Sequence, residues 1–202
     1  MSDFNTPEKL KVLFEAQSEN ISTSDFIRKP QHKHLKEIWC ALQFGLGYEK
    51  HVAPCWIAVN KEENSDTDFI LKTESCQFPF QTTIADMPGR RMGDEYKQTQ
   101  TDSLPNMPSQ IGGLIEGPQW ILNAVVGKIE KKYSALHTLN LLVYANFSSF
   151  ELGYIDTVNA LEKHSGKFSS VWIITNSQIC SIHTAIGQGA INYYADIYNH
   201  KE

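Results

Sequence analysis

Hydrophobic positions along this chain recur first with a helical period and then in short strand-like runs. Thr6, Pro7 and Glu8 open the first helix. A threonine caps free amides, proline suits the first helical position, and an acid favours the positive end of the dipole. Leu10, Leu13, Phe14 and Gln17 continue it at helical spacing. After a polar stretch from Ser18 to Ser24, Leu35, Ile38, Trp39 and Leu42 fall at i, i+3, i+4 and i+7. That pattern predicts a second helix over 31–45, ended by Gly45 and Gly47.

Three strands are expected next, over 55–59, 68–71 and 78–85, with the polar link 60–67 as a hairpin loop. From Gln98 to Gly117 the residues are mostly Thr, Pro, Ser and Gly, an irregular segment of a length that is either functional or mobile. Pro118 is expected to start a helix running to about Tyr133. Leu139 to Asn146 is a continuous apolar run, as in a buried central strand. Ser148 with Glu151 forms a capping box for a helix over 149–164. Val171 to Thr175 and Ile179 to His183 predict two further strands, paired across Asn176 and Ser177. The tail from Ala190 to Tyr198 takes no assignment.

The order α-α-β-β-β-α-β-α-β-β predicts a meander followed by a parallel crossover. The expected fold is α/β, a mixed central sheet flanked by helices. At 202 residues the chain reads as one domain. Residues 1–30 form an N-terminal helical arm, 31–147 the core, and 148–202 a C-terminal helix and strands.

Composition narrows the function. Hydrophobic content of 41% with 20% charged residues is that of a soluble globular protein. No apolar run approaches the roughly 20 residues needed to span a bilayer. The N-terminus lacks a basic segment followed by an apolar core, so no signal peptide and a cytoplasmic location are expected. Cys40, Cys55, Cys76 and Cys180 form no C-x-x-C pair, which argues for buried reduced thiols rather than structural zinc. A net charge of −5 argues against broad attraction to nucleic acid but leaves room for local basic surfaces. Two stand out: Arg28 to Lys36, with Lys33 and Lys36, and the Arg90–Arg91 turn. No nucleophile elbow, H-E-x-x-H, Walker loop or dinucleotide fingerprint occurs.

The candidate chemistry lies between Asp68 and Lys97. An acid at the start of one strand, with Gln81 and Thr83 two residues apart on the next, can aim three polar groups at one point. This order and spacing resemble the PD-(D/E)XK superfamily, the restriction-endonuclease-like nucleases, over about residues 31–147. The chain is similar to bacterial endonuclease-like proteins whose second catalytic strand leads into a GRR-x-x-DEY-like turn. Here that turn stands as Gly89-Arg90-Arg91-Met92-Gly93-Asp94-Glu95-Tyr96-Lys97.

The resemblance implies that Asp68 is the metal-binding acid, with Gln81 at the Glu position and Thr83 at the Lys position. Asp68 and Gln81 would hold Mg²⁺, which polarises the phosphate and activates water while a lysine orients it. Thr83 departs from that pattern, since a neutral hydroxyl cannot stabilise developing anionic charge as an ammonium does. Ile121, Val125, Ile129 and Tyr133 define an apolar arc on the helix after Pro118, with Lys132 inside it, Lys128 at its edge and Lys131 well away. Lys128 is therefore the candidate relocated cation. Glu37 is the helical acid that the family places before the strands. It lies about 160° from the stripe of Leu35, Ile38, Trp39 and Leu42, so it is expected to face solvent. Asp86 is a further acid beyond the strand. Arg90, Arg91, Lys33 and Lys36 are the candidate nucleic-acid contacts, and Arg90 and Arg91 can instead brace the turn against Asp94 and Glu95.

Two readings stay open. One is a Mg²⁺-dependent endonuclease acting on phosphodiester bonds. The other is the same fold with catalysis lost, holding nucleic acid or a protein partner; a homodimer is compatible with both. Geometry separates them, because two oxygens on one Mg²⁺ must lie within roughly 4.5 Å of each other.

Overall fold

The structure, a computed structural model, describes residues 3–22, 25–26, 29–62, 65–89, 110–131, 133–147 and 152–198, with side chains of 110–114 excepted. Helix α1 (Pro7–Ser18) is capped by the Thr6 hydroxyl, which accepts from the Lys9 amide at 3.3 Å, as its sequence predicts. A short 3₁₀ turn (Pro30–His32) leads into α2 (Lys33–His51). Strands β1 (Trp56–Val59), β2 (Phe69–Lys72) and β3 (Gln77–Ala85) follow, then α3 (Gln110–Ile129) and β4 (Asn140–Ala145). The chain continues through α4 (Tyr154–Leu161), β5 (Ser170–Ile174), β6 (Gln178–His183) and a two-residue β7 (Ala195–Asp196).

The seven strands form one mixed sheet in sequence order. β1, β2 and β3 are an antiparallel meander, β3, β4 and β5 run parallel, and β6 and β7 return antiparallel. The expected α/β architecture is therefore present, with strand ends displaced from the periodic pattern by about a residue. Among the described residues no helix is long and apolar enough to cross a membrane.

Alternating strand side chains feed two cores. On one face Phe69, Leu71, Phe80, Leu142 and Trp172 pack with α1 and α2. On the other Leu141, Val143, Val171 and Ile173 pack with Trp120, Ile121 and Val125 of α3 and Leu161 of α4. Both faces of β4 and β5 are covered, which is why those strands read as unbroken apolar runs.

Four helical expectations are corrected. Helix α2 does not stop at Gly45 and Gly47 but runs to His51. These glycines are close-approach residues: a Cβ at Gly47 would lie 2.8 Å from Ile179 Cγ2, and one at Gly45 would overlap Ile57 Cδ1. Pro118 does not start α3 but lies inside it, beside Gly117, which lies against Phe147. Burial of the 117–125 face outweighs the backbone hydrogen bond that proline removes. The same helix ends at Ile129, so Tyr133 lies beyond its last turn. Helix α4 begins only at Tyr154 after Gly153, and the expected capping pair, Ser148 and Glu151, lies outside the described residues. Of the thiols, Cys40, Cys55 and Cys180 are buried, whereas Cys76 is exposed.

Candidate functional site

The site is made by the unequal length of two strands. β2 pairs with β3 only as far as Phe69 opposite Phe80, while β3 continues through Ala85 paired with β4 alone. Beyond that fork the β3 edge facing β2 has lost its ladder partner, and a backbone N–H so placed needs another acceptor. Asp68 supplies it. Its own amide still bonds Phe80 O at 2.8 Å, and its carboxylate reaches along the vacated edge. Oδ2 accepts from the Thr82 amide at 2.6 Å and from the Thr82 hydroxyl at 2.5 Å. Oδ1 accepts from Gln81 Nε2 at 3.3 Å.

Gln81 is buried and links this edge to α3. Its Nε2 also approaches Ser65 O at 3.5 Å. Its Oε1 accepts from Lys128 Nζ at 2.8 Å and from the Tyr133 hydroxyl at 3.2 Å. Asp68, Gln81 and Lys128 are thus brought together. Lys128 is only 9% exposed, and burial pushes its pKa down to about 8; Asp68 opposes that shift, and Lys131 and Lys33 add to it. Its Nζ also lies 5.9 Å from the centre of the Tyr133 ring. Burial, with Asp68 and Asp66 nearby, pushes the Tyr133 phenol up. The segment after α3 is pinned by Asp66, which accepts from the Ser134 hydroxyl at 2.7 Å and its amide at 3.3 Å.

Glu37 does not face solvent. Its side chain is 17% exposed and lines a cleft of about 150 Å³ with Lys33, His34, Asn60, Glu62, Thr67 and Asp68. Burial first, and then the charge of Asp68, raises its pKa. The reason lies in the register of α2: Glu37, Ala41, Phe44 and Tyr48 fall at i, i+4, i+7 and i+11, and the last three are fully buried. Leu35 and Trp39, which set the direction of the expected stripe, are only half-buried. Glu37 is held by Lys33 at 3.4 Å, with His34 Nδ1 at 3.7 Å.

The remaining expected residues are less engaged. Thr83, half-buried, is not among the side chains joining Asp68, Gln81 and Lys128. Lys33 is exposed at the cleft mouth, and Lys36 is half-buried, with its pKa lowered by burial. Asp86 turns away to accept from the Met87 amide and from Asn146 Nδ2 at 3.0 Å. Arg90, Arg91 and Lys132 lie outside the described residues. Two members of the network, Thr82 and Tyr133, are not site candidates by sequence pattern. Thr82 alternates to the other face of the sheet from Gln81 and Thr83, and Tyr133 falls past the end of the helix that its spacing extends.

The expected Mg²⁺ site can be tested against this geometry. Asp68 and Gln81 converge well inside the necessary distance, but through the amide nitrogen. The amide oxygen, which alone could ligate a cation, is turned to Lys128 and Tyr133. Reversing the amide would set its NH₂ against the Lys128 ammonium, donor against donor. Three donors already occupy the Asp68 carboxylate. Among the described residues no group of three or more His, Cys, Asp or Glu side chains is placed to hold a metal ion. As arranged, the Asp68–Gln81 pair does not fit Mg²⁺, which takes oxygen ligands in near-ideal octahedral geometry.

No family model, curated protein or solved structure matches the chain.

Proposed function

We propose that this chain is a restriction-endonuclease-like module that holds nucleic acid without cutting it. The α-β-β-β-α-β succession over α2 to β4 supports the scaffold, since it carries an acid at the start of β2 and the polar positions on β3 where the resemblance puts them. A single observation carries the choice between the two readings: the oxygen of Gln81 is spent on Lys128 and Tyr133. Hydrolysis by the family's route needs that oxygen on a metal beside Asp68. Binding needs only a surface that meets phosphates, and Lys33 lines the cleft with Asp68, Lys36 lies on the same helix, and Lys131 follows the end of α3. The other reading, a Mg²⁺-dependent nuclease acting on phosphodiester bonds, draws its support from the convergence of Asp68, Gln81 and Lys128, with Glu37 facing the same fork.

Both are tested with labelled single- and double-stranded DNA and RNA. Anisotropy at rising salt is expected to give binding that weakens as salt increases and that falls in Lys33→Ala with Lys36→Ala. Incubation with Mg²⁺ or Mn²⁺ is expected to leave the substrates intact. Cleavage abolished by Asp68→Ala would reverse the conclusion in favour of the nuclease, and binding to none of the four would remove the nucleic-acid reading altogether.

A further inference from the structure

We infer that Lys128 is the resident cation of this site: its ammonium takes the place at Gln81 Oε1 that a divalent metal would need, so the Asp68–Gln81 pair takes up no Mg²⁺ or Mn²⁺ while Lys128 is in place. The inference deepens the proposed module reading by naming what keeps the metal out.

Three features carry it. The Lys128 Nζ lies 2.8 Å from Gln81 Oε1, and the Tyr133 hydroxyl at 3.2 Å takes the second lone pair of that oxygen. A carbonyl oxygen with both lone pairs used has none left for a metal. The amide nitrogen, held by Asp68 Oδ1 and Ser65 O, ties the other end of the side chain in the same sense. Finally, the cation has its counter-charges: Asp68 and Glu37 both favour the charged form of Lys128 across the fork. The pair of acids that could attract a divalent ion is therefore already facing an internal positive charge. A buried ammonium 2.8 Å from the amide oxygen repels a second cation at that oxygen, and the low-dielectric surroundings make that repulsion stronger than in water.

The probe is Mn²⁺ with the full chain, followed by paramagnetic broadening of the Gln81 side-chain amide and Lys128 Nζ signals and by electron paramagnetic resonance of free Mn²⁺. In the wild type, Mn²⁺ at millimolar concentration is expected to leave those signals sharp. Lys128→Met releases Oε1 and removes the internal charge, so it is expected to take up one Mn²⁺ per chain, tighter than wild type by about tenfold or more, the usual influence of one group beside a metal site. Adding Asp68→Asn to that variant should abolish the uptake. Saturable broadening at Gln81 in the wild type, lost in Asp68→Asn, would overturn the inference, as would a folded Lys128→Met that binds Mn²⁺ no better than wild type. The wild-type measurement decides even if the variant does not fold. A chain that binds nucleic acid and also takes Mn²⁺ at Asp68 sinks this inference alone. A chain that binds neither sinks the nucleic-acid reading alone.

Discussion

Replacing Lys128 with methionine separates the cost of a buried charge from the value of its hydrogen bond. Methionine keeps an unbranched chain and loses the ammonium, so the packing of α3 on β3 is little disturbed. In the folded protein burial lowers the Lys128 pKa from 10.5 to about 8. Between those two values the unfolded chain holds a proton that the folded chain has released, so stability rises with pH across that window. The cost of the buried charge is complete below pH 8, is relieved through the window, and is gone above 10.5. Its size is on the order of 3 kcal/mol. The hydrogen bond to Gln81 Oε1 is kept by the neutral amine and contributes about 1 kcal/mol at both ends of the window. Lys128→Met is therefore expected to exceed the wild type by about 2 kcal/mol at pH 7, where the wild type buries a charge. It should lose that lead and fall behind by about 1 kcal/mol as pH approaches 10.5, because only the wild type gains there. Urea unfolding followed by tryptophan fluorescence from about pH 7 to 10.5 reads both quantities. The buried thiols, pushed up by burial, titrate in both proteins and cancel in the difference. A difference that stays flat across the window would refute the reasoning, since it would mean that the Lys128 amine is solvated rather than held against Gln81.

Two further substitutions test the frame around the site. Gly47→Ala is expected to lose about 1–3 kcal/mol despite alanine's better helix propensity, because the new Cβ meets Cγ2 and Cβ of Ile179, a β-branched residue with little freedom to rotate away. Thermal unfolding checks this, and an unchanged or raised midpoint would show that Gly47 is not there for close packing. Asp68→Ala strips the acceptor from the Thr82 amide, the Thr82 hydroxyl and Gln81 Nε2, and is expected to cost about 3 kcal/mol, with Asp68→Asn losing less because it retains one carbonyl oxygen. Equal chemical stability of wild type and Asp68→Ala would mean that the carboxylate does not hold the fork together.

The first six strands and their order along the chain were legible from short apolar-rich runs bounded by turns, clearest in β4 and β5, whose two faces are covered, whereas the two-residue β7 lies in the tail and is too short to carry a pattern. The convergence of Asp68, Gln81 and Lys128 was legible for a related reason. Strand parity fixes which side of β3 carries Gln81, and the helical arc of Ile121 and Val125 fixes which side of α3 faces it. Glu37 is misplaced by a stripe drawn through Leu35 and Trp39, two large apolar residues at the margin. The stripe through Ala41, Phe44 and Tyr48 points to the sheet and carries Glu37 with it. Small residues such as Ala41 and Gly45 weigh little in a hydrophobic pattern yet mark where a helix comes closest to its neighbour. Tyr133 and Thr82 depend on where a helix stops and where a strand pair separates, and periodicity is least informative at ends.

The letter at position 81 reads as a defect in a metal site, and the hydrogen bonds around it lend it a different sense. An amide has an acceptor at one end and donors at the other. Set between a carboxylate and an ammonium, it satisfies both at once, with Nε2 on Asp68 and Oε1 on Lys128. A glutamate in the same rotamer would bring a second carboxylate oxygen to within 3.3 Å of Asp68 and would need a cation between them. Glutamine needs none. The neutral side chain at 81 and the lysine that comes in from α3 are therefore one chemical arrangement, in which Lys128 is required to pair with the oxygen and Asp68 with the nitrogen. Gln81→Glu would keep an acceptor for Lys128 and Tyr133 but set a carboxylate oxygen against Asp68 in place of the amide donor, so it would upset the pairing on the Asp68 side.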